Sequence, residues 1–161
     1  MHTTRPDIAY SVSYLARFVS NPGTPHLRAV LRVLAYLSQT RDRVLRYQPD
    51  RAAPLAVFSD ASWETRNSVS GGVVLYHGCV ILWWSRRQHC VTLSSAEAEY
   101  LAASVAAREV IYLRDLLESM GYGVPGPTPM LLDSKSTIDL ALDPVAFKKT
   151  KHILRPCILP S

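Results

Sequence analysis

The tightest constraint in this chain is a pair of apolar runs, residues 71–76 and 79–84, separated only by His77-Gly78. Two residues allow little more than a tight turn between antiparallel strands, and a Gly at the second loop position suits such a turn. A shorter apolar run precedes them at residues 55–58 and predicts another strand. We therefore expect three consecutive antiparallel strands.

A long helix is predicted next, from about Ser95 to Met120, with Gly121 ending it. Ser94 and Glu97 have the spacing of a capping box, in which the Ser is the N-cap and the Glu reaches back to the N–H of the cap residue. Alanines dominate the early turns. This composition indicates a slim helix that packs closely against its neighbour.

The order of the elements defines the fold class. Residues 130–132 predict a short strand, and a short helix follows it through Ile138 and Leu142. Strand, strand, strand, helix, strand, helix is the pattern of an α/β domain with a mixed sheet.

A different period governs the N-terminal part. Apolar residues at spacings of three and four predict one helix over residues 6–20 and another that Thr24 caps, with Pro25 at its first position. We expect a helical hairpin over residues 1–50 and the α/β domain over residues 51–161. Residues 48–54 are the best linker candidate.

Charge is unevenly distributed along the chain. The net charge is +5, but residues 51–143 hold seven basic and ten acidic side chains, whereas residues 1–50 and 144–161 are both basic. This pattern suits a protein that holds cations centrally and meets a polyanion around them, although ordinary solvated faces explain it equally well. The N-terminus has no apolar h-region, and the longest charge-free stretch predicts strands. We therefore expect an intracellular protein without a membrane segment.

Acidic residues mark the ends of predicted elements. Asp60 follows the strand at residues 55–58, Asp133 follows residues 130–132, and Glu97 and Glu99 are expected in the first turn of the long helix. Each alone is more often a turn or cap residue. Glu97 already has a capping role, so Glu99 is the chemical candidate. Three converging carboxylates repel one another unless a cation neutralises them. Oxygen ligands of this kind suit Mg²⁺, with Mn²⁺ as a substitute.

Long ordered motifs connect this chain to a known family. The segments FSDASW, SVSGGVVL, WWSRRQ, TLSSAEAEYLAAS, LLDSKSTIDLALDP and KKTKHI together resemble the ribonuclease H domain of Ty1/copia-type retrotransposon polyproteins. The segment RPDIAYSVSYLARFVSNPGTPHLRAVLRVLAYL is similar to the C-terminal end of the reverse transcriptase in the same polyproteins. The resemblance covers nearly all of residues 5–153.

The resemblance implies an RNase H-like fold, two Mg²⁺ ions and hydrolysis of the RNA strand of an RNA–DNA hybrid. Matched motif by motif, Asp60, Glu99 and Asp133 take the places of the first, second and third acids. The reverse transcriptase part of the same polyprotein is the implied protein partner, and no membrane partner is expected.

The C-terminal motif departs from the family pattern. In the family an acidic residue normally follows KHI, and a further stretch then closes the domain. Here Leu154 occupies that place and only a short segment follows. We therefore expect a truncated C-terminal element, a second ion site of lower charge, and weakened or lost activity.

Basic and hydroxyl side chains near the motifs are candidates for nucleic-acid contact. Arg86 and Arg87 lie at the end of the third strand. They follow the pair Trp83-Trp84, and because side chains alternate between the two faces of a strand, we expect one of these two tryptophans to be buried. Arginines at this position can bind phosphate, or they can simply form a solvated strand end. Ser68 and Ser70 precede a Gly pair that equally suits a bulge.

The C-terminal segment offers Lys149 and Lys151 for phosphate contact. The neighbouring His152 is a catalytic candidate that would assist proton transfer or product release. A flexible basic tail explains these three residues equally well.

Two other functions remain open. One is a catalytically inert hybrid-binding or structural remnant of the same domain, which the Leu154 position favours. The other is an integrase-like nuclease of the same fold. The order of the three site acids along the chain, Asp, Glu, Asp, disfavours it.

Overall fold

A computed structural model describes residues 4–64 and 68–142 of the chain. The chain divides into two compact units, Met1–Tyr47 and Gln48–Ser161. The first is helical and the second contains the sheet. Neither described range contains a helix that is both long enough and apolar enough to cross a membrane.

The second unit is built on a four-stranded sheet. Its strands are β1 (Ala56–Ser62), β2 (Val69–Tyr76), β3 (Cys79–Arg87) and β4 (Met130–Leu132), in the spatial order β3-β2-β1-β4. The β1–β2 and β2–β3 pairs are antiparallel, whereas β4 runs parallel to β1. The predicted mixed sheet and the predicted order of elements are both confirmed.

The predicted tight turn joins β2 to β3. His77 and Gly78 have φ angles of 51° and 73°, as a type I′ hairpin requires at both central residues. The N–H of Asp50 donates to the carbonyl of His77 at 2.9 Å. Residues 48–54, interpreted from sequence as a linker, therefore belong to the sheet unit.

The long helix, α3 (Ser95–Ser119), follows the hairpin. Ser94 is the N-cap and its hydroxyl accepts from the N–H of Glu97 at 3.2 Å. The carboxylate of Glu97 accepts from the N–H of Leu93 at 2.7 Å, so the prediction that it bonds the cap residue itself is wrong by one position. Gly121, with a φ of 81°, lies just past the helix end as expected.

The core of the sheet unit lies where α3 packs on β1 and β2. Ala106 on the helix is fully buried there, because small side chains let the helix approach the sheet. The remaining members of this buried cluster are Leu55, Val57, Val74, Trp84 and Val110. A last helix, α4 (Lys135–Leu142), follows β4 and contacts α3.

Gly72 leaves room for one of these core side chains. It pairs directly with Trp84 across the β2–β3 ladder, and a Cβ at Gly72 would overlap the indole ring. Trp84 is buried whereas Trp83 is only half-buried. The expectation that one of the two tryptophans is buried is confirmed.

The first unit contains a 3₁₀ turn (Pro6–Ile8), α1 (Ala9–Ala16) and α2 (Thr24–Gln39). The helical hairpin is confirmed, but α1 ends earlier than predicted. The N-cap of α2 is Gly23 rather than Thr24. Gly23 has no side chain to accept from the first turn, but its own N–H donates to Nδ1 of His26 at 2.9 Å, which is the half of a capping box that the N3 residue supplies.

Candidate active site

Asp60 lies inside β1, opposite Gly71 of β2. The prediction that it comes directly after the strand is therefore wrong, because the strand continues to Ser62. Side chains alternate between the two faces of a strand, and Ser59 is buried whereas Asp60 is exposed. Asp60 thus presents its carboxylate away from the core.

Asp133 follows β4 directly, as predicted. Leu132, the last residue of β4, pairs with Ser59 of β1 in the parallel register. The next residue on each strand is an aspartate, Asp60 on β1 and Asp133 after β4. Parallel pairing at this point therefore brings two carboxylates from distant parts of the chain side by side.

Glu99 comes from the second turn of α3 rather than the first, and its Oε1 accepts from the N–H of Ala61 at 3.1 Å. The N–H of Val57 points to the β4 side, where it donates to the carbonyl of Pro129. Ala61 is four residues further along β1, so its N–H points to the same side but lies past the end of β4. Glu99 supplies the acceptor that β4 no longer provides.

The three carboxylates converge. Asp60, Glu99 and Asp133 each offer one oxygen, and these atoms lie within 4.8 Å of one another. Burial raises the pKa of Glu99, the N–H of Ala61 lowers it, and the negative charges of Asp60 and Asp133 raise it further. Such crowding of like charges is relieved by a cation. A set of carboxylate oxygens alone fits a hard ion such as Mg²⁺.

Basic residues line a cavity of about 400 Å³ between the end of β3 and α3. Arg86 and Arg87 are exposed at its edge, as is Arg108 of α3. Arg86 forms an ion pair with Glu109 of α3 at 2.8 Å. This pair orients the Arg86 side chain and neutralises part of its charge.

The two predicted serines are buried. The Ser68 hydroxyl bonds Thr92 Oγ1 at 2.9 Å and the backbone of Glu64. Ser70 Oγ accepts from Nε2 of Gln88 at 2.9 Å. Both hydroxyls thus serve internal contacts in this structure, which offers no support for their predicted contact with nucleic acid.

The remaining predicted residues lie outside the described part of the chain. They are Lys149, Lys151, His152 and the departure from the family pattern at Leu154. Their predicted roles stay predictions.

Trp63 is a surface residue that the sequence patterns above do not identify. It follows Asp60 by three residues in the SDASW motif, is 43% exposed, and donates its indole N–H to the carbonyl of Thr92 at 3.3 Å. The one feature of the sequence that could have identified Trp63 is its position, because a large aromatic residue lies only three residues after the predicted site acid Asp60.

Taken together, the sheet unit is an α/β unit with a mixed four-stranded sheet and a carboxylate cluster, and this architecture is compatible with an RNase H-like fold. No protein-family model and no solved structure matches the chain.

Sequence relatives are nevertheless clear. The chain is 36% identical over 157 residues to the retrovirus-related Pol polyprotein from transposon TNT 1-94 of Nicotiana tabacum, covering 95% of this chain and 12% of that protein. It is 32% identical over 154 residues to the Pol polyprotein from transposon RE1 of Arabidopsis thaliana, covering 93% of this chain and 10% of that protein. It is also 40% identical over 117 residues to the secreted RxLR effector protein 161 of Plasmopara viticola, covering 70% of this chain and 82% of that protein.

The chain belongs to the family of copia-type retrotransposon Pol polyproteins. It spans only about a tenth of the length of the two Pol polyproteins compared above.

Proposed function

We propose that this chain is a Mg²⁺-dependent endonuclease of the ribonuclease H type, which hydrolyses the RNA strand of an RNA–DNA hybrid. The observation that supports this most directly is the convergence of Asp60, Glu99 and Asp133 within 4.8 Å. Family membership places the chain among retrotransposon Pol proteins, and the motif resemblance supplies the specific reaction.

The three carboxylates would hold two Mg²⁺ ions, with Mn²⁺ as a substitute. When bound, such ions activate the attacking water and stabilise the leaving oxygen, so that 3′-hydroxyl and 5′-phosphate ends result. The protein contributes the fixed geometry. β1 and β4 set the spacing of Asp60 and Asp133, and the N–H of Ala61 holds the Glu99 carboxylate in place.

Basic side chains would bind the substrate backbone. Arg86 and Arg87 are exposed at the end of β3, where they can neutralise phosphate charges and position the duplex without reading its sequence. We extend the same role to Lys149 and Lys151, and we propose that His152 assists proton transfer or product release. The reverse transcriptase part of a Pol polyprotein is the proposed protein partner.

A second candidate is a hybrid-binding remnant that no longer cleaves. Leu154 favours it, because a leucine stands where the family pattern has its fourth acid. This remnant would keep the substrate affinity of the fold and lose turnover.

Cleavage of an RNA–DNA hybrid with a label on each strand decides between the two candidates. Under the endonuclease proposal the full chain cuts only the RNA strand in Mg²⁺, EDTA stops the cutting, and Asp60→Asn lowers the rate by at least about 1,000-fold, or about 4 kcal/mol of barrier. The matched control is Asp139→Asn, an exposed acid on α4 outside the carboxylate cluster, and it should cut normally.

If the folded chain binds hybrid but cuts nothing in either Mg²⁺ or Mn²⁺, the remnant is the correct reading. If Asp60→Asn cuts as fast as wild type, the assignment of the carboxylates is wrong.

A further inference from the structure

Three large apolar side chains are exposed on two segments of the sheet unit that a hydrogen bond joins. Trp63 is 43% exposed, Val91 is 64% exposed and Leu93 is 82% exposed. We call these three residues the apolar platform. Exposed apolar residues that occur singly are ordinary, but a group on neighbouring segments points to a binding surface.

Buried hydrogen bonds hold the two segments of the platform together. The indole N–H of Trp63 donates to the carbonyl of Thr92 at 3.3 Å, and Thr92 Oγ1 bonds Ser68 Oγ at 2.9 Å. Ser68 Oγ in turn accepts from the N–H of Glu64 at 3.1 Å. Thr92 and Ser68 are both almost completely buried, so this network sets where Trp63 lies relative to Val91 and Leu93.

A second contact fixes the platform to the helix that contributes a site acid. The N–H of Leu93 donates to the carboxylate of Glu97 at 2.7 Å, and the N-cap of α3 is the next residue. Backbone fixed in this way presents its apolar side chains at little entropic cost on binding.

Trp63 of the platform lies close to the carboxylate cluster along the chain. Trp63 follows Asp60 by three residues, a distance of about 10 Å along a strand. The same segment carries the exposed cation Arg87 and an exposed histidine, His89, just before Val91. A partner that satisfies both features must have negative charges and flat apolar surfaces close together, as a nucleic acid does.

We propose that the apolar platform packs against sugar faces in the minor groove of the RNA–DNA hybrid and so positions the scissile phosphate at the carboxylates. This inference rests on the proposed function. Bases inside a duplex are stacked and closed to an aromatic ring, but the minor groove of an A-like duplex is wide and shallow and exposes its sugars. Trp63 is a positioning residue in this scheme, since it touches substrate away from the reacting atoms.

Binding of a labelled hybrid to the full chain in EDTA, followed by fluorescence anisotropy, tests the platform without cleavage. Trp63→Ala should weaken hybrid binding about tenfold, as expected for losing contact with about half of a large aromatic side chain. Trp63→Phe should stay within about twofold of wild type, because a flat ring remains. Tyr112→Ala, an exposed aromatic on α3, is the matched control and should bind normally.

A duplex of DNA alone supplies the second comparison. Its minor groove is narrow, so Trp63→Ala should change DNA duplex binding by less than about twofold. Leu93→Ser removes a side chain that is almost wholly exposed and should also weaken hybrid binding. Circular dichroism would show whether Trp63→Ala folds. If it does not, Leu93→Ser still tests the platform.

Several results would overturn the proposal. Hybrid binding that is equal in wild type, Trp63→Ala and Leu93→Ser would do so, as would an equal loss of affinity for hybrid and DNA duplex. Sedimentation that shows the platform joining two copies of the chain would also exclude it. Failure of the proposed function looks different: the chain would then bind hybrid through Trp63 and cut nothing.

Discussion

The two units of this chain use similar apolar sequence in opposite ways. In the sheet unit, Leu55, the residue before β1, is 1% exposed and packs under α3, whereas Leu31 of α2 is 55% exposed. Both residues belong to regular apolar patterns. Within residues 4–47 the only buried apolar side chain is Ala9, which is 7% exposed.

Polar and aromatic contacts hold the helical unit instead. Arg5 forms an ion pair with Asp7 at 2.9 Å and donates to Thr40 Oγ1 at 2.7 Å, and the hydroxyl of Tyr36 donates to Asp7 at 2.7 Å. The sheet unit is thus stabilised by apolar burial, and the helical unit by directional contacts that are individually weak because solvent screens them.

The largest expected difference comes from removing one leucine in each unit. Leu55→Ala should lower the free energy of unfolding by about 3 kcal/mol, because it leaves a cavity in a packed core. Leu31→Ala should change it by less than about 0.5 kcal/mol, because the site is already solvated. All three tryptophans lie in the sheet unit, so tryptophan fluorescence follows the denaturation of that unit, and amide hydrogen exchange in α2 measures the effect of Leu31→Ala in the helical unit. Equal costs would contradict the comparison.

Neighbouring glycines of β2 test the packing of the sheet core. Gly72→Ala should cost about 2 kcal/mol, because the new methyl group overlaps the Trp84 ring. The control is Gly71→Ala, whose Cβ would meet only the carbonyl of Asp60 at 3.9 Å. It should leave the unfolding midpoint nearly unchanged. A tolerated Gly72→Ala would show that the Trp84 ring can move aside.

A smaller effect concerns the site acids in the absence of metal. Because the pKa of Glu99 is raised in the folded state, the folded state takes up its proton more readily than the unfolded chain. The contribution of Glu99 to stability should therefore be complete at low pH and be lost as the pH rises through the raised pKa. Asp133→Asn removes one source of repulsion and should stabilise the EDTA-treated protein at neutral pH by up to about 1 kcal/mol, allowing for solvent screening.

Thermal unfolding at several pH values measures this effect. Mg²⁺ should raise the melting temperature of wild type more than that of Asp133→Asn. If Asp133→Asn is less stable than wild type in EDTA, Asp133 has a structural role.

The smallest effect should appear in the helical unit. The hydrogen bond from Arg5 holds the pKa of Asp7 well below its usual range against the opposing effect of burial, and Tyr36 lowers it further. The contribution of Asp7 is therefore complete above the ordinary Asp pKa of about 3.9 and is lost as the pH falls below it. Asp7→Asn should destabilise α2 by about 0.5 kcal/mol.

Amide hydrogen exchange in the full chain would detect this loss locally. The exposed Asp42 provides the matched control, Asp42→Asn. Unchanged exchange in Asp7→Asn would show that the aromatic contacts, such as the Phe18–His26 ring stack at 3.8 Å, suffice to hold the unit.

Local features were largely predictable from the sequence. The turn at His77-Gly78, the N-cap at Ser94 and the helix end at Gly121 depend on residues within a few positions of one another, and the structure confirms all three. The same local reasoning missed Gly23 as an N-cap, because Gly23 has no capping side chain and its only side-chain partner is the ring of His26, which accepts from the Gly23 N–H.

The sequence by itself determined the order of the elements and the kinds of side chain available for chemistry, because period, turns and caps are short-range properties. Only the tertiary structure decided which side chains meet. Parallel pairing of β4 with β1 brings Asp133 to Asp60, and the early end of β4 leaves the Ala61 N–H for Glu99. Burial closed Ser68 and Ser70 to solvent and left Trp63 exposed, because burial depends on how distant segments pack.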